Sequence, residues 1–92
     1  MNLYLLTQSD NTGFDTFDSC VVAAPDEATA RTIHPRNYIR WNGREWAYTH
    51  GDYGDAGASG WAFTPDDVTV EHIGVTVAER SVGVICASFN AG

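Results

Sequence analysis

Arg31, Arg36, Tyr38, Arg40, Trp41, Arg44, Trp46 and Tyr48 gather four guanidinium groups, two indoles and two phenols in one short stretch of chain. Two kinds of chemistry follow from that set. Guanidinium forks clamp phosphate groups while flat rings stack on a nucleobase. The same residue types also anchor protein interfaces. The plainer reading is structural, with Trp41 and Trp46 in the core and Arg44 packed across them as a cation–π pair. A second group, Asp52, Asp55, Asp66, Asp67 and Glu71, with Glu79 beyond it, offers an acidic face. Such a face either keeps a small domain in solution or docks on a basic partner by resembling a phosphate backbone.

The remaining reactive residue types form no catalytic set. His34, His50 and His72 fall in separate elements without the i, i+3 or i+4 spacing of a metal site, so no metal is expected. The loop acids Asp10, Asp15 and Asp18 fail the calcium-loop pattern, because Val21 stands where a bidentate Glu is needed. Cys20 and Cys86 lie in apolar runs and read as reduced core thiols, with a Cys20–Cys86 disulfide left open if their strands are neighbours. A chain without lysine has no phosphate loop of the Walker type. His34, before Pro35, is expected to close a helix as a partly positive ring. No catalytic residue and no cofactor is expected.

Charge divides the chain sharply. Residues 31–44 hold four Arg and no Asp or Glu, or +4, while the rest holds one Arg and twelve acids, or −11, giving the net −7. Direct nucleic-acid binding is disfavoured by that summed field. A small anion at the cationic segment, or a basic protein on the acidic surface, is allowed.

The elements that must position these groups make one domain, residues 1–92, with 43% hydrophobic residues for a core. No apolar stretch is long enough to span a membrane, and the first residues lack the basic start of a secretory leader. Leu3–Leu6 predicts a strand covered on both faces, and 20–23 a second strand paired antiparallel with it. Pro25 at a helix start predicts one short helix to about Ile33. Asn42-Gly43 predicts a two-residue hairpin turn, pairing Trp41 with Arg44 and Ile39 with Trp46. A mobile glycine-rich loop over 50–60 and a single helical turn at 64–67 follow. Strands over 68–73 and 82–89 close the chain, with an irregularity at Gly74 and the second strand central. The fold class is therefore α+β: a mostly antiparallel sheet of four to six strands with one short helix on a face.

Tyr4-Leu5-Leu6-Thr7-Gln8, Asp15-Thr16-Phe17-Asp18-Ser19, Ile33-His34-Pro35 and Ala87-Ser88-Phe89-Asn90-Ala91-Gly92 resemble a family of short uncharacterised bacteriophage and prophage proteins. The resemblance covers residues 1–35 and 64–92 and leaves 36–63 unmatched. The family has no assigned activity, so it lends no residue a role. It implies a setting, a phage accessory protein in the cytoplasm of a bacterial host, where such proteins commonly disable antiviral defences.

The expected function is accordingly a non-catalytic inhibitor that binds a host defence protein. Its acidic faces would dock on a basic surface, with the rings of 38–48 as anchors. The alternative is a sponge that holds a small, cyclic nucleotide signal in the Arg and aromatic segment, across the interface of a homo-oligomer. A small nucleotide- or peptide-processing enzyme is the third reading. It needs titratable groups that sequence spacing does not bring together.

Overall fold

In a computed structural model, which describes residues 1–50, 57–77 and 80–91, the first apolar run is strand β1 (Asn2–Thr7). It pairs antiparallel with β2 (Thr16–Ala24), Leu3 opposite Ala23 and Leu6 opposite Cys20. Strand β5 (Thr69–Val75) flanks β1 and β6 (Gly83–Asn90) flanks β2, giving a four-stranded antiparallel sheet in the order β5-β1-β2-β6. A separate two-stranded hairpin joins β3 (Ile39–Trp41) to β4 (Trp46–Tyr48). One helical turn, α1 (Glu27–Ala30), and one 3-10 turn (Pro65–Asp67) complete an α+β fold. No helix among the described residues is long and apolar enough to cross a membrane. The glycine-rich loop lies mostly outside the described residues.

The main core cluster lies on one face of the sheet, although Ala23 on the other face is also fully buried. Tyr4, Leu6, Cys20 and Val22 point from the central strands into a cluster with Ala30, Ile33, Ile39, Trp46, Trp61, Ala62 and Val68. Alternation along β1 turns Leu3 and Leu5 to the other face, where they are half-buried. The expectation of a first strand covered on both faces is thus corrected. So is the central place given to the last strand, since β6 is an edge. Its register slips between its contacts with Val21 and Val22, and that of β5 slips between its contacts with Leu3 and Tyr4, beside Gly74 as expected.

The helix is shorter than expected because two other partners take its ends. Asp26 accepts a hydrogen bond from the Thr29 N–H at 2.7 Å and caps the turn, so Pro25 lies outside it. Beyond Ala30, residues 32–34 run against β3. Trp41 N–H donates to Thr32 at 3.0 Å and His34 N–H to Ile39 at 3.3 Å. The loop after β1 is organised by one buried side chain. Gln8 donates to Phe17 O at 2.6 Å and Asn11 O at 2.7 Å, and accepts from the Asp10 and Asn11 N–H groups.

His34 sits at the centre of the core rather than at a helix end. Its ring is fully buried, edge-on to Trp46 at 5.5 Å and Phe17 at 6.0 Å. The Arg36 N–H donates to Nδ1 at 2.9 Å, so the proton is on Nε2, which donates to Ala58 O at 2.7 Å. Burial pushes its pKa down to about 4, with Arg36 and Arg40 adding to the effect against the opposing bonds to Ala58 and Ser59. The partly positive ring expected at this position is therefore a neutral core imidazole.

Candidate functional site

The hairpin keeps the expected side-chain alternation in a different register. Trp41 faces Trp46, Arg40 faces Ala47 and Ile39 faces Tyr48, which leaves a four-residue connection over 42–45. Asn42 Oδ1 accepts from the Arg44 and Glu45 N–H groups at 2.9 Å each, an Asx turn that closes this longer loop. Moving the pairing by two residues preserves parity. Ile39, Trp41, Trp46 and Tyr48 share one face, but Arg44 leaves it for the loop tip.

The eight residues of the cationic segment consequently split into three groups. Trp46 is 2% exposed and donates from Nε1 to Ala62 O at 2.9 Å and Phe63 O at 3.2 Å, so it is a core residue. Half-buried Trp41 meets it edge-on at 5.4 Å. Arg31 straps the helix to the 3-10 turn, donating to Pro65 O at 3.0 Å and Val68 O at 3.1 Å, and its charge meets Glu27 at 2.8 Å. Arg44 is exposed on the loop, 3.4 Å from Glu45. Arg31 and Trp41 do line one depression, of about 400 Å³, together with Asp66. Its guanidinium is already engaged there.

Arg36, Tyr38, Arg40 and Tyr48 form the remaining group. The Arg36 guanidinium lies 5.6 Å over the Phe17 ring and 5.9 Å over Phe89. Its Nη1 donates to the Tyr38 hydroxyl at 3.5 Å. Tyr38 stacks on Tyr48 with centroids 6.0 Å apart and planes 9° from parallel. Arg40 is half-buried, and burial holds its pKa below the usual arginine value. Its donors go to Asn37 O, Ile39 O and Asn37 Oδ1.

Asn37 links this group to the sheet. Its Oδ1 also accepts from the Val84 N–H at 2.9 Å, at the start of β6. Asn37, Arg80, Ser81 and the valines 77, 82 and 84 line a depression of about 430 Å³. Gly83 is required beneath it. With φ at +153°, a Cβ there would lie 2.8 Å from Asn37 Oδ1. Arg80 and Asn37 carried no signal in the sequence reading, because Arg80 lies far along the chain from the other four Arg, directly after Glu79, and Asn37 has no motif around it.

The acidic residues do not form one face. Asp52 and Asp55 lie outside the described residues, as does Glu79. Asp66 and Asp67 share the 3-10 turn and adjoin Asp10. The hydrogen bond with Asp10 holds the Asp67 carboxyl above its ordinary pKa, with burial and the charges of Asp10 and Asp66 adding. Glu71 sits apart on β5, directly opposite Leu5.

Glu71 belongs instead to the uncovered face of the sheet. Residues directly opposite one another share a face, so pairing aligns Glu71, Leu5, Val21 and Cys86 in one row across the four strands. The next row is Thr69, Thr7, Ser19 and Ser88. The apolar row is therefore bounded by an acid at one edge and by hydroxyls along its side. Cys20 faces Ala87 and Cys86 faces Val21, so the two thiols lie on opposite faces of neighbouring strands. Both are free, Cys20 buried and Cys86 exposed. Cys86 is thus no core residue, contrary to its apolar surroundings in sequence. The three histidines stay apart, His50 beside Tyr38 and His72 beside Tyr4. Among the described residues no group of His, Cys, Asp or Glu is placed to hold a metal ion. No protein-family model, characterised protein or solved structure matches the chain, so the functional reading rests on its own surfaces.

Proposed function

We propose that the protein is a non-catalytic inhibitor that binds a host protein through the uncovered face of its sheet, within the bacterial defence setting implied by the phage resemblance. The observation that supports this reading is the row Glu71–Leu5–Val21–Cys86, an apolar centre with polar surroundings on the face of the sheet away from the main core cluster. Apolar centres with polar rims are the usual anatomy of protein interfaces, and large uncovered apolar patches mark contact sites. The net charge of −7 selects a basic partner. Trp41 and Trp46 are removed from the anchor role by their burial. Cys86, exposed in that row, is the side chain there that a reagent can reach.

A thiol reagent tests this surface. Cys86 is exposed, whereas burial, with Cys86 adding, pushes the Cys20 thiol up to about 12. Maleimide at neutral pH is expected to modify Cys86 alone in the folded protein, and both thiols after denaturation. Pull-down from host lysate at low salt with a bulky Cys86 adduct should then lose the partner that the unmodified protein retains. Equal capture by both would contradict the assignment of this face.

A further inference from the structure

We propose that the outer edge of β6 pairs antiparallel with the same strand of a second copy of this chain, joining two four-stranded sheets into one. The edge is distinct from the face proposed for docking, and the pairing does not depend on that reading.

The backbone of β6 shows which of its groups face away from the sheet. Asn90 O accepts from the Asp15 N–H, so Asn90 turns towards β2. Phe89 pairs with Phe17, whose N–H donates to Gly60 O and whose C=O accepts from Gln8 Nε2. Backbone groups alternate along a strand, so Ala87 and Phe89 turn theirs outward. Among the described residues this outer edge is engaged only at Val84, whose N–H donates to Asn37 Oδ1 at 2.9 Å. Beyond it residues 85–90 are all exposed, Ile85 at 38% and Phe89 at 41%. Unpaired N–H and C=O groups in such a row are a template for another strand.

Charge and symmetry select a second copy as the occupant. Gly83–Asn90 holds no charged residue and no proline, the residues that usually keep an edge apart. The opposite edge, β5, carries Glu71 and a register slip beside Gly74. A neutral edge offers a charged partner no complementary group, whereas its own copy meets it without setting like charges opposite one another. Antiparallel self-pairing within one sheet has a two-fold axis perpendicular to the sheet, which keeps every side chain on its own face and sets one residue opposite itself. A register centred on Ala87 uses the whole edge that Asn37 leaves free. The outward N–H and C=O of Ala87 then bond those of its copy. Ile85 stands opposite Phe89 of the second copy, a β-branched and aromatic pair, and Cys86 opposite its Ser88.

Sedimentation equilibrium of the purified protein tests the pairing. The 10.0 kDa chain should double in mass with Kd about 10–100 µM, since one strand pair lies at the small end of interface sizes. Added salt should tighten the dimer, because two copies of net charge −7 repel through solvent, whereas docking on a basic partner weakens with salt. Ala87→Lys, at an exposed position, sets two like charges face to face and should weaken the dimer at least about tenfold. Its Tm at low concentration should match wild type. Ser88→Cys should give a disulfide-linked dimer through Cys86 on mild oxidation, since directly opposite residues of this kind stand about 4.5 Å apart at Cα. Wild type, with its Cys86 residues offset along the strands, should give none. A chain that stays monomeric to about 500 µM would overturn the pairing, that being well above the expected Kd. Dimers of Ala87→Lys as tight as wild type, or Ser88→Cys without a linked dimer, would overturn the assignment to this edge. The cross-link decides the matter even where Ala87→Lys lowers Tm.

Discussion

Lowering the pH from 7 to 4 should cost the folded protein about 3 kcal/mol through His34 alone, taking its pKa from the usual 6.5 to about 4 on folding. Because the folded-state value is the lower one, the unfolded chain binds the proton first. The contribution is complete above pH 6.5, falls as pH drops towards 4, and is gone below that. A charged ring would have to remain among Trp46, Phe17 and Trp61 with Arg36 close by, and Nδ1 could no longer accept the Arg36 N–H. Stability of a domain of this size is on the order of 5–10 kcal/mol, so this one group carries a large share of it. Asp26, held below its ordinary pKa by the Thr29 N–H, loses its contribution only at still lower pH. Urea denaturation at steps from pH 7 to pH 4 should show the midpoint falling through this window. His34→Gln should flatten the slope. A wild-type midpoint that stays level between pH 6.5 and 4 would show that His34 is not a buried neutral ring.

Trp46→Ala should cost about 3–5 kcal/mol, the range for removing a large buried aromatic residue, and leave the chain close to unfolded. The ring fills the space between His34 and Trp41 at 5.5 and 5.4 Å, and its N–H serves two carbonyl oxygens. Trp46→Phe separates the two contributions. It retains much of the packing and loses the hydrogen bonds, at an expected cost of about 1–2 kcal/mol. Half-buried Trp41 should tolerate Ala better than Trp46. Equal and small losses at both positions would restore the reading of the two indoles as exposed stacking surfaces.

These outcomes bear on what the residue order could reveal. The Asn42-Gly43 signal located the hairpin correctly, and its parity survived a register error of two residues because strand faces repeat every two. Patterning also gave the antiparallel pairing of β1 with β2, a local event across one connection. It gave the α+β class as well. What failed was long-range. Val84–Ala87 is apolar on both parities, yet β6 is an edge, because no residue in it records which strand lies beyond. The run 31–44 looked like one patch since its charges are adjacent in the chain. In space Arg31 reaches the 3-10 turn, Arg44 sits at a loop tip, and Arg40 joins Asn37 at a depression that Arg80 completes from the far end of the sequence. His34 was read from its neighbour Pro35. Its true surroundings come from loop 57–60, the hairpin and β2.

The docking account stands on the uncovered face of the sheet. Its most direct measurement is phage plating on bacterial hosts that each carry one defence system, with the wild-type protein or a Cys86→Lys variant supplied in the cell. Cys86 is exposed, so the variant is expected to keep the wild-type Tm. The account predicts that wild type restores plating on at least one such host and that the variant does not. Full restoration by the variant, or no effect of wild type on any host, would contradict it.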